Sequence, residues 1–225
     1  MPIALAHGLA LAALSALPLQ GAGAAPQIIA LLEAGQEAKL LDVVRERPDE
    51  VREALANLFE LSAESPSSEE RIERILQAEQ LARLYERGWS DSFFISGVEQ
   101  FRRWSTDERA AKLEADSLRR TGAEAFYREG PEAAIRIWER SLGQYRAVDD
   151  LAGQAAALGN LGAGYYAMGR FERALRHHRR SLELAEAAGD HRTRGNALGN
   201  IASVYKDQGE YALAAEFYGD RKSVV

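Results

Sequence analysis

Leu158-Gly159-Asn160-Leu161-Gly162 and Leu198-Gly199-Asn200-Ile201-Ala202 are one five-residue pattern written twice, 40 positions apart. The match extends outward at the same offset. Tyr165 pairs with Tyr205, Gly169 with Gly209, Phe171 with Tyr211 and Ala174 with Ala214. An aspartate opens each unit, Asp150 and Asp190. A weaker copy lies upstream: Trp138, Ser141 and Leu142 match His178, Ser181 and Leu182 at 40. Phe126 and Gly130 match Tyr165 and Gly169 at 39, so this copy is expected to lack one residue in its turn near Pro131. On that spacing Thr121 stands where Asn160 would. A fixed period of this length marks stacked supersecondary units, each unable to bury its own apolar face.

Each unit reads as two helices. In the best copy helix A is expected over 151–168 and helix B over 171–188, with Gly169 and Gly189 where left-handed helix ends belong. Gly162, Ala202, Ala174 and Ala214 fall where paired helices must approach closely. Tyr165, Tyr205 and the series Trp138, His178, Tyr218 supply bulk between neighbouring units. The fold class is therefore all-α, with antiparallel helix-pair repeats stacked as an α-solenoid.

These small, glycine and aromatic positions resemble the tetratricopeptide repeat. The Leu-Gly-Asn start and the period of 40 are similar to its long variety, seen in many bacterial tandem arrays. The resemblance covers Lys112–Gly219 and is most specific over Asp150–Gly219. It divides the chain into a degenerate first repeat (110–149), a second (150–189) and a third, truncated one (190–219). It implies a concave groove lined by the A helices that binds a protein or peptide partner in extended or helical form. Asn160 and Asn200 then stand one period apart as a ladder, since an amide both donates and accepts hydrogen bonds. By the same resemblance Ala163, Tyr166, Ser203 and Lys206 line the groove. The alternative is that Asn160 and Asn200 only brace the loop or helix within each repeat. A lysine–asparagine clamp for a terminal carboxylate is not visible, because Gly159, Gly199 and Ala163 occupy its places. Arrays of this type often serve as the recruiting arm of a longer enzyme, such as a caspase-like CHAT protease, so that role is a second expectation.

Residues 25–109 also read as helices, either degenerate repeats or a capping segment. Stretches are expected over 28–33, 38–45, 48–63, with Pro48 at the first helical position, then 68–88 and 90–104. Ser62–Ser68 reads as a loop. Thr106-Asp107-Glu108 starts the next helix, without the glutamate that a capping box from Thr106 would need.

Both ends differ from this body. Met1–Leu32 carries no Asp, Glu, Lys or Arg. Leu9–Leu19 has the length of a signal-peptide core, and Ala22-x-Ala24 fits a cleavage signal after Ala24. Residues 1–24 are thus expected to be a signal peptide, and the mature chain periplasmic or extracellular, without stable membrane insertion. The alternatives are an uncleaved anchor over residues 1–32 or a misassigned start codon. At the other end the repeat demands Arg-Ser-Leu, as at 140–142 and 180–182, but residues 220–222 are Asp-Arg-Lys. Asp220–Val225 resembles translated sequencing adapter, and on that reading the natural protein continues past Gly219.

Composition narrows the chemistry. The 225 residues hold 28 Lys+Arg, 34 Asp+Glu and no cysteine, for a net charge of -6. This argues against a general nucleic-acid binder and excludes thiolate metal sites and thiol nucleophiles within the chain. Gly159-x-x-Gly162-x-Gly164 has the wrong order for a phosphate loop and no strand before it. His177 and His178 are neighbours on a helix and point about 100° apart, which disfavours a shared metal. Arg170, Arg173, Arg176, Arg179 and Arg180 read as a solvated face. No catalytic residue and no cofactor are expected.

Overall fold

A computed structural model describes residues 24–222. The described residues form eleven α-helices and no strand. The helices are α1 (Ala24–Glu33), α2 (Glu37–Glu46), α3 (Pro48–Glu64), α4 (Ser68–Trp89), α5 (Phe93–Arg103), α6 (Thr106–Arg128), α7 (Pro131–Ala147), α8 (Leu151–Ala167), α9 (Phe171–Ala188), α10 (His191–Asp207) and α11 (Tyr211–Lys222). The fold is an α-solenoid of helix pairs. α6/α7, α8/α9 and α10/α11 are the three pairs, and each pair packs on the next. The A helices α6, α8 and α10 also touch one another in order. Short connections make sequential neighbours antiparallel.

The first two repeats are built on the same close contacts. Ser141 donates its hydroxyl to the Ala115 carbonyl at 2.8 Å, and Ser181 donates to Ala155 at 2.7 Å. Trp138 covers Gly122, and His178 covers Gly162. These contacts correct the register of the first repeat. Ala115 and Gly122 correspond to Ala155 and Gly162 at an offset of 40, so Arg120, and not Thr121, stands in the place of Asn160. No turn residue is missing: Gly122 to Trp138 spans the same 16 positions as Gly162 to His178, so the expected deletion near Pro131 is not there. Glu129 and Gly130 join α6 to α7, where Met168, Gly169 and Arg170 join α8 to α9. The connection is one residue shorter only because α6 runs one position further than its counterpart. Removing the Ser181 hydroxyl (Ser181→Ala) should cost about 1 kcal/mol, read as a lower urea midpoint at unchanged slope.

Helix ends follow local chemistry. Pro48 opens α3 at its first position, as expected. Gly189 ends α9 at φ 69°. The start of α6 is one residue earlier in its cap than the sequence reading had it. Ser105 is the N-cap, its side chain accepts from the Glu108 amide at 3.3 Å, and Glu108 accepts from the Ser105 amide at 2.7 Å. The capping box is present after all. The expected Ser62–Ser68 loop shrinks to residues 65–67, because α3 runs on to Glu64 and Ser67 caps α4.

The N-terminal helices form their own core. Ile28, Leu40, Val51, Leu58 and Leu81 are buried together. A second core joins Trp138, Leu142, Tyr145, Leu158 and Leu161. Residues 1–23, which hold nearly all of the expected signal peptide, and Ser223–Val225 lie outside the described residues. Ala25, Ile28 and Leu32 from the end of the charge-free run are buried in the first core. No helix among the described residues is long and apolar enough to cross a membrane. Asp220, Arg221 and Lys222 continue α11, and Arg221 is exposed where Ser141 and Ser181 are buried.

Candidate interaction face

The A helices present one face formed by α6, α8 and α10. Asn160 on α8 and Asn200 on α10 are both half-buried, at equal depth in their helices. Neither side-chain amide makes a hydrogen bond to any described residue. Ala163 is half-buried one turn after Asn160. Tyr166 on α8 donates its hydroxyl to the Asp207 carboxylate on α10, and this bond, with burial behind it, pushes the Tyr166 pKa up. Lys206 is exposed, with its ammonium 3.9 Å from Asp207. All six expected groove residues thus lie on α8 and α10.

Ser203, one period from Ala163, turns its hydroxyl inward. Its hydroxyl donates to the Gly199 carbonyl at 2.9 Å and lies 3.2 Å from the Tyr218 hydroxyl on α11. A helical serine readily turns back onto the carbonyl four residues earlier. The group is spent inside its own repeat. Asp207 was missed by the sequence reading, although it stands beside Lys206.

A buried charge network joins the first repeat to the second. Lys112 on α6 holds both oxygens of Asp116 at 2.8 Å and lies 3.3 Å from Asp150. The Tyr145 hydroxyl donates to Asp116 at 2.5 Å, and Arg119 lies 3.3 Å from that hydroxyl. Asp150 also caps α8 by accepting from the Gly153 amide at 2.9 Å. Burial disfavours every charge here, yet Lys112 keeps Asp116 below the usual carboxylate range. The two aspartates in turn hold Lys112 above its ordinary value. Asp190 caps α10 in the same way, accepting from Thr193. Its counterpart of Lys112 is Ala152, which has no charge to give.

The two histidines are packing groups in this structure. His177 stacks on Tyr165 at 5.1 Å, while His178 is buried against Gly162. Arg170, which caps α9, and Arg173, Arg176, Arg179 and Arg180 on it are all exposed.

Residues 123–187 and 153–220 match the family profile described as tetratricopeptide repeat. No curated protein matches the chain. Among solved structures, the TPR domain of Arabidopsis FLU is similar at 24% identity and a TM-score of 0.47, over 50% of this chain and 95% of that one. BtubC (BKLC) from P. vanneervenii is similar at 21% identity and a TM-score of 0.45, over 88% of this chain and 80% of that one.

Proposed function

We propose that this chain, whose residues 123–220 carry tetratricopeptide repeats, is a protein-interaction scaffold that holds a peptide or helix on its A-helix face. One observation carries the reading. Asn160 and Asn200 recur at one period on adjacent A helices, and their half-buried amides bond to no described residue. The bracing role within the repeat would use those amides. A backbone laid across the face would satisfy both, since each amide offers a donor and an acceptor.

The 40-residue period, seen twice over in the serine–carbonyl contacts, supports the long variety of the repeat. The apolar Leu9–Leu19 run supports a scaffold that works outside the cytoplasm. The test uses peptides selected from a display library against the wild-type chain. Asn160→Ala with Asn200→Ala should weaken such peptides about tenfold or more, since two hydrogen bonds are worth about 1 kcal/mol each. The melting temperature should stay within about 1 °C, because surface amides without internal partners add little stability. Equal affinity for both proteins would overturn the ladder.

A further inference from the structure

The N-terminal segment does not simply precede the array; it folds back onto it. Arg52 on α3 forms a two-pronged pair with Asp190, at 3.1 and 3.4 Å, across 138 positions of sequence. Asp49 at the start of the same helix pairs with Arg192 at 3.2 Å. Glu60, two turns after Arg52, pairs with Arg120 at 2.7 Å. Arg120 is the residue that stands in the asparagine-ladder position of the first repeat. Arg52 and Glu60 lie about 12 Å apart along α3. Their partners sit at the start of the third A helix and on the first, so α3 reaches across the array from α10 to α6.

Two features separate this docking from ordinary solenoid stacking. First, the apolar stripe Val51, Leu55, Leu58 faces the N-terminal core and is buried there. The side of α3 that meets the array is the charged one. An interface held by ion pairs is of the kind that opens and closes, where an apolar one would be permanent. Second, Asp190 is only 2% exposed and has no cation from its own array, whereas its counterpart Asp150 has Lys112. Arg52 supplies the missing charge while resting on the rings of Phe93 and Phe94, at 5.0 and 5.2 Å.

We infer that α3 is a resident occupant of the binding face, which an incoming peptide or helix must displace by offering a carboxylate to Arg120 and a cation to Asp190. This rests on the reading of the A-helix face as the binding surface, but its first test needs no partner. The chain has no cysteine, so Glu53→Cys on α3 and Asn196→Cys on α10 can carry spin labels without background. Both positions are exposed. The labels should report one short distance. Arg52→Glu with Glu60→Arg should lengthen and broaden it, and Arg120→Glu added to Glu60→Arg alone should restore the short distance. An unchanged distance in Arg52→Glu/Glu60→Arg would show that the ion pairs do not hold α3 and would overturn the inference. The second arm uses the library peptides. They should bind Arg52→Glu/Glu60→Arg about tenfold more tightly than wild type, as removal of a closed state requires. Opening without any gain in affinity would overturn the competition, while the ladder would still stand or fall on Asn160 and Asn200.

Discussion

Gly162→Ala is expected to lower the melting temperature by roughly 4–8 °C, and Gly122→Ala to do the same. A β-carbon at Gly162 would lie 2.4–2.7 Å from three ring atoms of His178, and one at Gly122 would lie 2.4 and 2.5 Å from the Trp138 indole. Neither ring is free to move. His178 is 1% exposed, and Trp138 donates its indole N–H to the Arg119 carbonyl at 3.1 Å. Overpacking of this kind costs about 3 kcal/mol, against about 1 kcal/mol that alanine returns in helix propensity. The control lies within the same repeats. Gly143 is exposed in α7 with nothing within 4 Å of a β-carbon. There the propensity gain is unopposed, and Gly143→Ala should raise stability by up to about 1 kcal/mol. Thermal melts of the three variants separate the two cases. A Gly162→Ala chain as stable as wild type would mean that the helices are not held at this spacing.

Much of this architecture was legible because a repeat states its contacts more than once. The match of Gly162 with Ala202 already implied close approach of paired helices, and Trp138, His178 and Tyr218 were expected as bulk between neighbouring units. That Trp138 and His178 lie over the glycine of their own pair came only from the structure. The register of the first repeat was not legible in the same way. Phe126 and Gly130 match Tyr165 and Gly169 at 39 only because the aromatic and the glycine stand one position later in the first repeat, and they pulled Thr121 into the place of Asn160. Only the buried contacts at Ala115 and Gly122 show that Arg120 belongs there. At the face itself the two asparagines could be read from their period. The direction of the Ser203 side chain could not, since a serine that turns back on its helix looks the same in sequence as one that faces outward. The docking of α3 left almost no trace in the pattern. Arg52 and Asp190 are 138 positions apart and belong to different helix sets, so no local periodicity connects them. The only hint was Ala152, an uncharged residue where Lys112 serves the preceding repeat.

The second large effect is a loss of stability in mild acid that traces to His178. Its ring is buried on Gly162, and its Nδ1 has no hydrogen-bond partner among the described residues. Burial, with the neighbouring His177 charge adding to it, pushes its pKa down to about 4. An unfolded histidine titrates near 6.5. Between these values the unfolded chain binds a proton that the folded chain refuses, so the contribution is complete above pH 6.5 and is lost as pH falls toward 4. Between pH 7 and pH 5 the loss should be roughly 2 kcal/mol. Carboxylates such as Asp116 titrate lower and add their own slope, so the measurement is a difference between two proteins. His178→Phe keeps an aromatic ring over Gly162, as Trp138 does over Gly122, but cannot be protonated. Urea unfolding of both chains at pH 7 and pH 5 should show the wild type losing about 2 kcal/mol more than the variant. Parallel losses would mean that His178 accepts its proton in the folded state, and the ring would then have to leave the gap between α8 and α9 to find water.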